Sequence, residues 1–189
     1  MTGFGLEGFA AVRPVRVELV TARYVVSGTI QTRFSRVAEI LNQLTATHVP
    51  IEDAAVHEHG QGSAERSGTA VVAVDEILVM TAPDLGAPVP GGEMRVPKEP
   101  VRARLAIGPL WVAGTVYVPV GSRPIDGLLN VPDRFMPMTA VTLTSAAYED
   151  LDRSAPVAAV RRDRAHVILF EGGASAVDPT DSVTSAELI

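Results

Sequence analysis

A chain of 189 residues, 47% of them hydrophobic and 20% charged, is long enough for one ordinary domain or two very small ones and too short for a large multidomain enzyme. Its hydrophobicity excludes wholesale disorder, and its net charge of −6 argues against a general binder of nucleic acid or anionic membrane, which needs a basic surface. With no cysteine, disulfide frameworks, thiolate metal sites and a thiol nucleophile are ruled out.

Residues 1–13 read as an arm without the basic stretch of a secretory signal, and no run of 18 apolar residues follows, so a cytoplasmic protein without membrane insertion is expected. Val15, Val17 and Leu19 then alternate with Arg16 and Glu18, the period of a half-buried strand over Val15 to Thr21. A hairpin partner is predicted over Tyr24 to Thr32, where Gly28 marks a bend or a close backbone approach. Val37, Ile40, Leu41 and Leu44 have helical spacing, with Ser35 as the predicted N-cap. Strands over Ile51 to His57 and Ala70 to Met80 complete a unit of residues 14–82.

Residues 83–99 are rich in Pro and Gly and read as a linker. Beyond it the first unit recurs. At an offset of 86, Pro14 to Gln31 laid over Pro100 to Tyr117 gives seven identities in eighteen, among them Leu19/Leu105 and Gly28/Gly114. With a two-residue insertion, Ile40-Leu41-Asn42 falls on Leu128-Leu129-Asn130. Val49-Pro50-Ile51 then falls on Met136-Pro137-Met138, and Val72-Ala73-Val74 on Ala158-Ala159-Val160. The second copy, residues 100–171, is predicted to hold strands over Val101 to Leu105 and Leu110 to Val118. A short helix follows, with Pro124 in its first turn and Ile125, Leu128 and Leu129 on one face. Strands over Thr139 to Ala146 and Val157 to Phe170 come last, the latter broken at Arg161 to Arg164. Residues 172–189 carry acids and no base and read as an acidic tail. Residues 14–82 hold five bases against eight acids and residues 100–170 eight against six, so the acidity is unevenly placed.

Val15-Arg-Val-Glu-Leu-Val-Thr followed by Val26-Ser-Gly28-Thr-Ile30 resembles the first motif of Sm-like proteins, a strand, a tight turn and a strongly bent strand with an apolar-x-Gly-x-apolar core. The resemblance covers both copies and implies a mainly β fold of two tandem small barrels, each with a short helix. It does not extend to the RNA site: Gln31-Thr-Arg-Phe-Ser and Tyr117-Val-Pro-Val-Gly stand where the family's acidic residue and Asn would be, and neither final strand has the Arg-Gly pair. The segment from Ser122 to Asn130 also resembles small bacterial domains, which adds architecture and no function.

Among candidate sites, His57 and His59 are alternate residues that would share a strand face, with Glu52, Asp53 or Glu65 to complete a metal site. Their spacing resembles the His-x-His of cupins, but Ile51 stands where that pattern wants Gly and Glu65 lies one residue too far. The following Gly60-Gln-Gly-Ser favours an exposed hairpin tip, so no metal or other cofactor is expected. Arg161, Arg162 and Arg164 form the one basic cluster, a candidate anion contact for which a solvated turn is the preferred reading. Trp111 and Tyr117 lie in phase, opposite Leu110, Val112, Val116 and Val118, and suggest a protein contact or packing against copy one. Asp126, Asp133, Glu149 and Asp150 offer carboxylates, but no spacing pairs two of them as acid and base, and no nucleophile, phosphate-loop or zinc-protease motif occurs.

The expected function is therefore a non-enzymatic assembly or adaptor module that pairs through sheet edges and exposed aromatics, because small bent sheets leave edge strands in need of partners. Self-association or a protein partner is expected, and three chains would make a pseudo-sixfold ring. The alternatives are nucleic-acid binding by the basic side of copy two and a metal site at His57 and His59.

Overall fold

The computed structural model describes residues 11–85, 97–130 and 132–171. Most of the expected arm and linker and the whole acidic tail lie outside them. The protein is mainly β: among the described residues ten antiparallel strands form one unclosed sheet, with two short helices of six residues each.

The first half contains β1 (Arg13–Val20), β2 (Tyr24–Thr32), helix α1 (Val37–Asn42), β3 (His48–Glu58), β4 (Ala64–Ala73), a 3-10 turn (Val74–Glu76) and β5 (Val79–Thr81). The second repeats that order as β6 (Lys98–Ile107), β7 (Leu110–Pro119), α2 (Pro124–Leu129), β8 (Phe135–Thr144), a 3-10 turn (Glu149–Leu151), β9 (Arg153–Arg161), a 3-10 turn (Arg162–Arg164) and β10 (Ala165–Glu171). Across the sheet the order is β10-β6-β7-β8-β9-β5-β1-β2-β3-β4. Each half thus arranges its strands fifth, first, second, third, fourth. They are joined where β5 pairs with β9, Val79 opposite Val160 and Thr81 opposite Ala158.

Glycine explains the bends in β2 and β7. A Cβ on Gly28 would lie 2.5 Å from Ile51 Cγ2 and 2.6 Å from the Glu52 carbonyl oxygen, and one on Gly114 would lie 3.0 Å from the Thr139 carbonyl oxygen. The pairing of β2 with β3 shifts between Ser27 and Thr29, and that of β7 with β8 between Ala113 and Thr115. The crossing strands take up the irregularity at Asp53 (φ 49°) and Ala140 (φ 50°).

Several boundaries differ from those expected. The predicted strand Ala70 to Met80 is two strands separated by the 3-10 turn Val74–Glu76, because Leu78 and Val79 turn away to meet the other half. Arg36, not Ser35, is the N-cap of α1, and no side chain caps it. The sequence match also slips. Helix hydrogen bonds Ile40 N–H to Arg36 and Gly127 N–H to Arg123 make Leu41 equivalent to Leu128, so the insertion before the helix is one residue rather than two. Val72 pairs with Val49 as Val160 pairs with Met136, which makes Val72 equivalent to Val160 rather than Ala158.

The core has two clusters that interpenetrate the halves. Phe135, Val157 and Ala159 of the second half belong to the cluster built on Leu19, Ile51 and Leu41. Conversely, Val20, Val25, Leu78 and Val79 of the first half belong to the one built on Leu105, Met138 and Leu143.

Candidate functional site

The joint between the halves combines three kinds of contact. Besides the β5 to β9 pairing, α1 packs on β8 and β9, and the Asn42 side chain bridges to Phe135, donating to its carbonyl at 2.7 Å and accepting from its N–H at 2.9 Å. Arg161 is buried, donating to the Val74 carbonyl at 2.9 Å and to Asp75 at 3.2 Å. Burial opposes its charge, but the Asp163 and Asp75 carboxylates outweigh that and raise its pKa further. In return, the Arg161 guanidinium holds the Asp75 carboxyl below the usual carboxylate range. Arg153 pairs with Glu18, and Arg134 with Asp75 at 2.9 Å.

This joint uses one edge of each half and leaves two free. β4 ends the sheet on one side and β10 on the other. The β4 edge is polar over Ala64 to Thr69 and apolar over Ala70 to Ala73, where Val71 is 64% exposed. The β10 edge exposes Val167 at 45% and Leu169 at 47%. Beside β4 lies an open groove of about 440 Å³ lined by Thr21, Tyr24, Val26, Val56 and Val72. A larger cleft of about 520 Å³ sits where the halves meet. At its mouth, Arg16 holds the Asp84 carboxyl below its ordinary range by hydrogen bonding, with ring-like geometry at 2.7 and 2.9 Å.

The sequence candidates fall in different places. His57 and His59 do not share a site: His59 lies in the turn after β3. His57 Nε2 meets Asp150 Oδ2 at 3.0 Å, across the joint. Burial raises the Asp150 carboxyl, but the Gly60 N–H and His57 hydrogen bonds outweigh it and bring it below its ordinary value. Buried His59 donates from Nε2 to the Thr21 carbonyl at 3.1 Å and lies 5.3 Å from the Tyr148 ring, while its Nδ1 has no partner. Among the described residues, no three His, Asp or Glu are grouped as metal ligands, and Glu52 instead accepts from Gln31. The basic cluster is divided: Arg161 is committed to the joint and Arg162 donates to the Leu128 carbonyl, leaving Arg164 exposed.

Trp111 is half-buried beneath the Arg104 guanidinium, which stands 4.3 Å from the ring centroid, and Tyr117 is exposed, its hydroxyl 3.3 Å from Thr139 Oγ1. Of the carboxylates, Asp126 pairs with Arg123 and Asp150 with His57, while Asp133 stands exposed. The sequence reading missed Leu78, Val79 and the groove beside β4, because they are defined by pairings between distant strands. The repeat is the signal that finds them, once each residue is set against its counterpart. Among the described residues no helix is long and apolar enough to cross a membrane. Comparison with protein-family models, curated proteins and solved structures finds no match.

Proposed function

We propose that the chain is a non-enzymatic assembly or adaptor module that takes further protein through its sheet edges. The observation that carries this reading is the pair of open edges, β4 and β10, with Val71, Val167 and Leu169 exposed on them. Unpaired N–H and C=O groups on an edge are a template for another strand, and exposed apolar side chains on the same edge add area for burial. The join of β5 to β9 supports the reading as an example, within the chain, of such an edge taking a strand. Tyr117 and Trp111 extend the contact face on the second half, Trp111 together with Arg104.

The test is the size of the native particle. Protein recovered from its source cells, measured by light scattering, should exceed the 19.9 kDa of one chain and return to that mass in the Val71→Lys variant. A native mass of one chain would overturn the reading.

A further inference from the structure

We propose that the occupant of the β4 edge is a second copy of this chain, docked head to tail by its β10 strand in the geometry that already joins the two halves. The inference rests on the assembly reading above and adds its partner, its register and its orientation.

Residue equivalence between the halves gives the argument. The registers make Thr21, Tyr24, Val26, Val56 and Val72 the counterparts of Ile107, Leu110, Val112, Leu143 and Val160. In the second half those five positions are buried around Leu78 and Val79, which the first half inserts among them. The insertion is close: a Cβ on Gly108 would fall 2.6 Å from Leu78 Cδ1. In the first half the same positions line the open groove beside β4. The groove is the acceptor of the internal joint with nothing inserted.

The second half carries the matching donor. Met80 opposite Leu19 and Ile168 opposite Leu105 make His166 and Val167 the counterparts of Leu78 and Val79. Carrying the internal register across, Val167 of one chain faces Val72 of the next, Ile168 faces Val71 and Leu169 faces Ala70. Most of the large apolar residues exposed among the described ones fall on this one interface. Val71 and Tyr24 are on the acceptor side. On the donor side are Val167, Leu169 and two residues of α2, Ile125 at 49% and Leu129 at 57% exposure. Ile125 and Leu129 stand where α1 has Ala38 and Asn42, positions half or fully buried where α1 meets the second half. Together these are six of the nine large apolar side chains exposed among the described residues, so the exposure is concentrated where the repeat places contact.

Charge agrees independently. The ion pair between Arg153 and Glu18 spans the internal joint. Their counterparts are Glu65 and Arg104, with the signs exchanged between the two sides. A chance pair of surface residues has no reason to remain complementary after both have changed sign. Neither Glu65 nor Arg104 has an ion-pair partner among the described residues; Glu65 stands on the edge strand β4, and Arg104 on β6, the strand next to the edge strand β10.

Several components of the internal joint are missing from the outer one: Leu129 stands where Asn42 bridges to Phe135, and His166 where Leu78 is inserted. Ala73 replaces Arg161, and Asp163, the counterpart of Asp75, is already paired with Arg161 of its own chain. The joint between chains therefore opens before the joint within them. Because donor and acceptor are different surfaces, the contact is heterologous and propagates, closing into a ring where the rotation per chain allows.

The absence of native cysteine makes the test direct. In the internal joint, Arg161 N–H donates to the Leu78 carbonyl, so the pair Thr81 and Ala158 is not hydrogen-bonded and its Cα atoms are close. Its counterpart between chains is Leu169 with Ala70, within disulfide reach. Purified Ala70→Cys and Leu169→Cys variants, mixed and oxidised, should give a covalent dimer in high yield. Either variant alone, or Ala70→Cys mixed with Val167→Cys, should give little. The unsubstituted protein by itself should scatter as a whole multiple of 19.9 kDa greater than one, and Val71→Lys should reduce it to one chain with an unchanged far-UV spectrum. A single-chain mass for the pure protein, or a multimer that survives Val71→Lys and gives no Ala70 to Leu169 cross-link, overturns the proposal. If the pure protein is one chain while the native particle is larger and is dissolved by Val71→Lys, the self-assembly inference fails and the adaptor reading stands. If both are one chain, both fail.

Discussion

At single positions, steric and electrostatic demands are specific enough to name a substitution and its cost. Gly28 lies against Ile51 and the Glu52 carbonyl with no room for a methyl group, since the obstacle includes backbone. Gly28→Ala should lower stability by about 1–3 kcal/mol, as overpacking does, and urea denaturation reads it directly. Ala140 presents the converse case, an L residue held at φ 50° with its strand already bent. Left-handed backbone costs a non-glycine residue about 1–2 kcal/mol, part of which glycine returns as chain entropy. Ala140→Gly should therefore gain up to about 1 kcal/mol on the same measurement. Asp75 titrates below its ordinary range because Arg161 hydrogen-bonds to its charged form. A carboxyl held low in the folded state stabilises above its unfolded pKa of about 4, and that stability is lost as the pH falls through the folded value. The urea midpoint of the parent should exceed that of Asp75→Asn at neutral pH, with the gap closing on acidification below about pH 4. A gap independent of pH would remove the ion pair from the account.

At the scale of elements, the two helices have nearly the same geometry and different surroundings. Residues of α1 are buried against β8 and β9, with Asn42 satisfying both backbone groups of Phe135. Asn42→Ala would leave an N–H and a carbonyl without their partner in a half-buried place, and should cost about 1–3 kcal/mol in urea denaturation. Its effect belongs to the joint, not to the helix. Much of this level was legible beforehand: alternation set out β1, the run of β-branched and aromatic residues delimited β2 at Tyr24 and Thr32, and Pro124 opened α2. The errors have a common physical origin. Val74 to Val79 read as continuous strand because its apolar residues suit either structure, and only a partner in the other half decides that Leu78 and Val79 leave the line of β4. The slips of one and two residues in the repeat are likewise invisible to apolar matching, since neighbouring valines and alanines score alike in either register. His57 and His59 would share a face only if β3 ran on through His59, and it ends at Glu58.

For the whole molecule, the shared clusters predict cooperativity. Each core contains side chains from both halves, so neither retains its core when the other unfolds. Heating should give a single transition whose calorimetric and van't Hoff enthalpies agree once association is accounted for. Two separated transitions would show that the halves are independent. The barrels expected from the sequence give way here to an open sheet, because β5 pairs with β9 of the other half rather than with its own β4. Local pattern set the strands; the choice between closing and joining lies in pairings more than 70 residues apart, which no window of sequence contains.

The β5 to β9 joint also governs how the protein is made. Synthesis runs from the first half to the second, so Val20, Val25, Leu78 and Val79 leave the ribosome long before the strands that cover them. During that interval the first half is complete in its own strands and bare on its inserting face. A β9 from a neighbouring nascent chain would fit there as well as the chain's own, and the time taken to translate residues 82–161 sets the window for that exchange. Slow translation through the second half should therefore raise the fraction of swapped chains, and fast translation should favour each chain closing on itself.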